Sequence, residues 1–215
     1  YRDSYYHTRS IEQVQAYINT QSCGTSNSID NNPPIVAALQ NKTIPKGTAF
    51  VLTADATDAE NNPLTYSWEE YDLAKTPVTT VVGNNTNGAK FRSLPASNVP
   101  YRYFPKLNTV IGGSLSSASD WEAVSNVERT MDFRVVVRDN NPDVTQQQTA
   151  FGSQTIIVGD DGPFKMKTVK VYNNVSSPVT WDVVNTNVAP YNVSNVKIDY
   201  STDQGSTWSV LSNST

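Results

Sequence analysis

Five carboxylates stand in amide-rich runs: Asp30-Asn31-Asn32, Asp58-Ala59-Glu60-Asn61 and Asp139-Asn140-Asn141-Pro142-Asp143. Carboxylate, amide and backbone oxygens together are what Ca²⁺ takes, in a shell of about six to eight ligands. Asp30, Asp58, Glu60, Asp139 and Asp143 are therefore the candidate calcium ligands. The same residue types also make tight turns by bonding to backbone amides two residues on, and both readings stay open. A second candidate is aromatic. Tyr101, Tyr103 and Trp121 fall in one irregular stretch and are expected either to form a binding platform or to pack beneath a long loop.

No arrangement in the chain has the form of a catalytic set. His7 is the sole histidine, so an imidazole-based metal site has no second imidazole to draw on. The run H-E-x-x-H, which puts two histidines and a glutamate on one helical face for zinc, is absent from the sequence. So are a Ser-His-Asp set and a phosphate-cradling glycine loop, and the expected catalytic residues are none. Net charge is −4, with no basic patch to follow a phosphate backbone, so nucleic acid is not an expected partner.

The positioning elements change character along the chain. Ile11, Val14, Tyr17 and Ile18 recur at spacings of three and four, which predicts an amphipathic helix over 10–18 with Thr8 or Ser10 as its cap and Cys23-Gly24 as its end. A Ser/Asn-rich linker spans 25–32. From Pro33 the period becomes two. Strands are predicted at 35–39, 49–54, 64–69, 133–138 and 154–158, with Leu64, Tyr66 and Trp68 on one face of the third. The stretch 75–126 reads as a pair of strands elaborated by a long insertion. Beyond Asp160-Asp161-Gly162-Pro163, four strand-like runs fill 163–215, about half a sandwich, and a second, incomplete module is expected.

Composition agrees with an all-β extracellular chain. Hydrophobic residues are 37% and charged residues only 17%, so Asn, Ser, Thr and Gln must coat the surface, with 11 Tyr and 4 Trp. No apolar run approaches the ~18 residues of a membrane span. Cys23 is the only cysteine, so internal disulfides are excluded. The sequons at Asn41, Asn84, Asn174 and Asn192 read as polar turns.

The run Asn32-Pro33-Pro34-Ile35-Val36, then Ile44-Pro45-Lys46-Gly47-Thr48, then Asp58-Ala59-Glu60-Asn61-Asn62-Pro63-Leu64-Thr65-Tyr66-Ser67-Trp68 resembles the opening of PKD-type and cadherin-like immunoglobulin folds. The resemblance implies an antiparallel immunoglobulin-like β-sandwich over 33–162, with Trp68 at its centre. Together with Phe91-Arg92-Ser93, Arg102-Tyr103-Phe104-Pro105 and the helix of residues 1–24, the order is similar to the region after the catalytic domain in secreted bacterial reprolysin-like zinc metalloproteases. That likeness implies a piece of a longer secreted or surface protein. Residues 1–24 would be the last helix of a preceding protease domain, Cys23 would pair with the upstream chain, and zinc would be held only in that upstream domain. The expected partners are that domain and a protein or glycan matrix; the expected role is a non-catalytic spacer or substrate-holding module. An adhesive or carbohydrate-binding module of a cell-surface protein is the alternative. Ser201-Thr202-Asp203-Gln204-Gly205-Ser206-Thr207-Trp208 is similar to the Asp-box of sialidase propellers. It occurs once, which implies a hairpin turn rather than a glycosidase, whose chemistry needs paired carboxylates.

Overall fold

The computed structural model describes residues 5–25, 27–172 and 174–213. The first four residues of the expected N-terminal unit and the last two of the expected second module lie outside them. The chain is all-β in character, with 29% of residues in strands and 8% in helices. In order the elements are α1 (Thr8–Ile18), β1 (Ile35–Val36), β2 (Lys42–Pro45), β3 (Phe50–Thr53), β4 (Ala56–Thr57), β5 (Thr65–Glu70), β6 (Tyr101–Phe104), α2 (Leu107–Ile111), β7 (Ser116–Ser117), β8 (Glu122–Ala123), β9 (Arg129–Arg138), β10 (Thr149–Gly159), β11 (Lys165–Met166), β12 (Trp181–Asp182), β13 (Ile198–Tyr200) and β14 (Ser209–Ser212).

The largest sheet has four strands in the order β2-β10-β9-β5. β9 pairs antiparallel with both β10 and β5, while β2 runs parallel to β10. Pro45 closes β2 opposite Gly159, a place it can occupy because β2 is an edge strand and needs no donor on its outer side. β3 pairs with β6, and β1 with β4. Period-two alternation in β9 turns Met131, Phe133, Val135 and Val137 inward. They meet Leu52 and Ala54 of the β3 segment, Phe104 of β6, Trp68 of β5, and Ile156 and Val158 of β10 in one cluster. Phe50 stacks on Phe104 at 5.1 Å, and Phe104 meets Phe133 edge-on at 4.9 Å. Each such ring fully withdrawn from water is worth about 1.5–3 kcal/mol, so this aromatic knot anchors the two groups of strands to each other.

Residues 75–126 do more than a surface insertion would. Phe91, Phe104, Ala123 and Val124 are all buried, and Phe91 and Val124 belong to the main cluster. Arg102 holds the stretch in register. Its guanidinium donates to Trp68 O at 2.7 Å, Arg92 O at 2.6 Å and Glu122 Oε1 at 2.8 Å. The Arg102–Glu122 pair is almost wholly buried, and such a pair contributes more to register than to net stability.

The helix departs from expectation at both ends. It begins at Thr8 with His7 at the cap position, and no side chain of its own caps it. It stops at Ile18, where Asn19 N–H bonds back to Gln15 O, so Cys23-Gly24 lies beyond it. Cys23 is exposed, with a free thiol.

The C-terminal stretch forms two separate two-stranded sheets, β11–β12 and β13–β14. It leans on the rest of the chain. Phe164, Tyr191 and Val193 face Ile44, Ala49 and Phe50 around a cavity of about 190 Å³. Asn185 donates to Asp161 Oδ1 at 2.9 Å. Among the described residues no helix is long and apolar enough to cross a membrane.

Candidate functional site

The amide-rich loops do meet at one end of the molecule, and hydrogen bonds hold them together. Asp139, fully buried, directly follows β9. Its carboxylate accepts the Gln148 N–H at 3.0 Å, the Asn141 N–H at 3.3 Å and the Asn31 side-chain amide. Asn31 in turn donates to Gln146 O at 3.0 Å and accepts from Asn62 Nδ2 at 3.0 Å. Glu60 accepts from Asn32 Nδ2 at 2.6 Å, and Asp58 Oδ1 accepts the amides of Glu60 and Asn62. Asp30 joins through its N–H to Gln146 Oε1 at 3.1 Å. Asp143 bonds to Thr145, within its own turn. Among the described residues no three acidic, His or Cys side chains come close enough to hold a metal ion. Asp139, Glu60 and Asp58 Oδ1 accept N–H donors, while Asp58 Oδ2 is buried with no hydrogen-bond partner, and the bonds tie the linker to two loops.

The aromatic residues divide. Tyr101 and Tyr103 project from β6 at two-residue spacing, their rings 5.7 Å apart and nearly perpendicular. They line a groove of about 270 Å³ with Tyr66, Trp68, Val99 and Leu107. Trp121 lies outside it, with φ at +57° and its ring 5.5 Å from the Arg92 guanidinium. Trp68 is buried as expected of a central tryptophan, and its indole N–H donates to Pro100 O at 3.0 Å. Tyr66, expected on one face with Leu64 and Trp68, is half-buried at the margin of the core, where the groove opens. The signal for it was present in the Leu64-Tyr66-Trp68 pattern, without anything local to mark where the core ends. Burial, with a smaller contribution from Asp55, pushes the Tyr66 phenol up. Burial first, then Tyr101 and Asp199, pushes the Tyr103 phenol up.

His7 sits against the β5 side of the main sheet. Ser93 Oγ lies 2.9 Å from its Nδ1, and Glu69 Oε1 lies 3.8 Å from the same nitrogen. A nucleophile relay needs the hydroxyl and the orienting carboxylate on opposite ring nitrogens. Here both face one, so the trio lacks the geometry of a catalytic triad. Glu12 bonds to both Tyr71 and Arg134, whose guanidinium lies 3.9 Å over the Tyr71 ring.

The Asp-box residues form the expected hairpin. Asp203 accepts the Thr207 N–H at 2.8 Å and its hydroxyl at 2.6 Å, Ser201 donates to Asp203 at 2.8 Å, and these bonds hold the Asp203 carboxyl down at about 2. Gly205, at φ +87°, lies so close to Leu107 and Ile111 of α2 that a Cβ would sit 2.9 Å from both side chains. The turn packs onto the wall of the tyrosine groove.

A second buried charge network lies at the end of β5. Glu70 accepts the N–H groups of Lys90 at 2.6 Å and Phe91 at 3.0 Å, with Arg129 at 3.5 Å. Lys90 Nζ donates to Val82 O at 2.7 Å and Gly83 O at 3.1 Å. Every partner is structural.

Comparison with protein families, curated proteins and solved structures finds no match to this chain.

Proposed function

We propose that this chain is a non-catalytic module of a secreted or surface protein, built on an immunoglobulin-like β-sandwich, and that it holds a macromolecular ligand in the Tyr66–Tyr101–Tyr103 groove. The sandwich reading draws support from the strand order β2-β10-β9-β5 set against β3–β6, with one core between them. The non-catalytic reading draws support from the His7 trio, whose two partners share one nitrogen. The observation that carries the binding role is the groove, where tyrosine rings stay accessible beside a packed core. Large amphipathic rings in a concave site are the usual anchors of recognition. The parent chain in this reading is a zinc metallopeptidase for which the module serves as spacer or substrate holder; the coding sequence upstream of Tyr1 tests that, an H-E-x-x-H supporting it and another domain type overturning it.

The binding role is tested by capture on immobilised gelatin, casein and insoluble polysaccharide. Retention that is lost in the Tyr101→Ala/Tyr103→Ala double variant supports it. Absence of retention on all three matrices overturns it.

A further inference from the structure

The groove's charges are already paired within the protein. Arg102 lies 2.8 Å from Glu122, and Lys106 lies 2.6 Å from Asp120. A charged ligand entering here finds no unpaired counter-ion on those walls. What the groove does have is spare hydrogen-bonding capacity without net charge. Among the described residues the hydroxyls of Tyr66, Tyr101 and Tyr103 bond to nothing. Tyr101 is 43% exposed and offers ring surface to solvent.

Two peptide modes fit poorly. A strand cannot add along Tyr66, whose N–H and C=O are taken by Ser97 at 2.7 and 2.9 Å. A polyproline helix presents its ridges one turn apart, about 9 Å, whereas the Tyr101 and Tyr103 rings sit 5.7 Å apart. An uncharged chain with apolar C–H faces and many hydroxyls matches both halves of the site. Resting on the binding role above, we propose that the groove lined by Tyr66, Tyr101, Tyr103 and Leu107 binds a neutral polysaccharide, with a sugar ring against Tyr101 and its hydroxyls bonded to the Tyr66 and Tyr103 phenols.

The test is affinity gel electrophoresis of the full chain in hydroxyethylcellulose, xylan and mixed-linkage β-glucan, followed by calorimetry with a hexasaccharide of whichever polymer retards it. Retardation by at least one polymer is expected. Tyr101→Ala is expected to weaken binding by about tenfold or more, the equivalent of about 1.4 kcal/mol, and Tyr103→Phe by a smaller factor, with melting temperatures unchanged. Trp121→Ala, outside the groove, is expected to bind normally. No retardation by any of the three polymers, or equal retardation of Tyr101→Ala, overturns the proposal. Capture by gelatin or casein through the same tyrosines, without polysaccharide binding, overturns the ligand class alone and leaves the binding role standing; capture by nothing overturns both.

Discussion

Glu69 caps a helix to which it is not connected: its Oε2 accepts the Thr8 N–H at 3.0 Å across 61 residues of sequence. Both residues are buried, Thr8 completely and Glu69 to within 5%. The first-turn amides of a helix lack internal partners, and a side-chain oxygen that accepts one stabilises the helix by about 1 kcal/mol. Here the acceptor comes from β5. The N-terminal segment is thereby part of the main sheet's packing.

Glu69→Ala is expected to loosen α1 while leaving the sheet intact. Hydrogen exchange at Thr8 should accelerate by about fivefold, the equivalent of about 1 kcal/mol, with β9 amides unchanged. Glu69→Gln, which keeps an acceptor oxygen, should lose less. Equal exchange in all three proteins would show that the cap contributes nothing.

Glu70 gives the chain an unusual pH response. Burial above all, then Asp72, pushes its carboxyl from 4.5 up to about 8. A raised folded-state value means its contribution to stability is complete below about 4.5 and declines as pH rises to about 8. Lys90 works the other way. Burial, then Arg129, lowers it from 10.5 to about 8, so its ammonium is unfavourable below that pH and stability recovers between about 8 and 10.5. The melting temperature is expected to pass through a minimum near pH 8. Glu70→Gln should remove the decline on the acid side and leave the alkaline recovery; a profile identical to the parent's would refute the assignment.

The Asp139 cluster is expected to act as a tie that needs no metal. Asp139→Ala should lower stability by about 1–3 kcal/mol, since Asn31, Asn141 and Gln148 lose a buried acceptor. The loss should be the same in chelator and in millimolar calcium. A loss seen only with calcium present would assign these loops a cation after all.

Asp203 should set the acid limit of the C-terminal hairpin. Its bonds to Thr207, then Ser201, depress the carboxyl to about 2, so their contribution is present above the ordinary 3.8 and lost as pH falls towards 2. The Thr207 amide resonance is expected to move to a random-coil position in that window. In Asp203→Ala it should sit there already at neutral pH, and a native position in that variant would rule the bonds out.

How far the sequence could be read varied with the range of the interaction. Trp68 and the inward face of β9 were legible because alternation is a local signal, and the hairpin at 201–208 was legible because Asp, Gly and Trp act within eight residues. β2 was missed: a four-residue edge strand ending in proline has little pattern of its own, and its pairing to β10 reaches across 114 residues, as from Lys42 to Ile156. The bonds that join the amide-rich loops, such as Asn62 to Asn31 and Asn31 to Asp139, link residues far apart in the chain, and only the fold shows them. Trp121 and the two β6 tyrosines are separated for a similar reason, since composition records aromatic content and not the direction of a side chain.

The sequence by itself determined an all-β chain with one N-terminal helix, and the positions where turns must fall, because backbone preference and two-residue periodicity are properties of neighbouring residues. It also determined that no histidine pair or zinc motif lies within these residues. Only the tertiary structure decided that Glu69 caps α1, that Phe91 and Val124 of the supposed insertion fill the core, and that Tyr66 joins Tyr101 and Tyr103 at one groove. Those relationships depend on burial and on contacts between distant segments, which exist only once the chain has closed on itself.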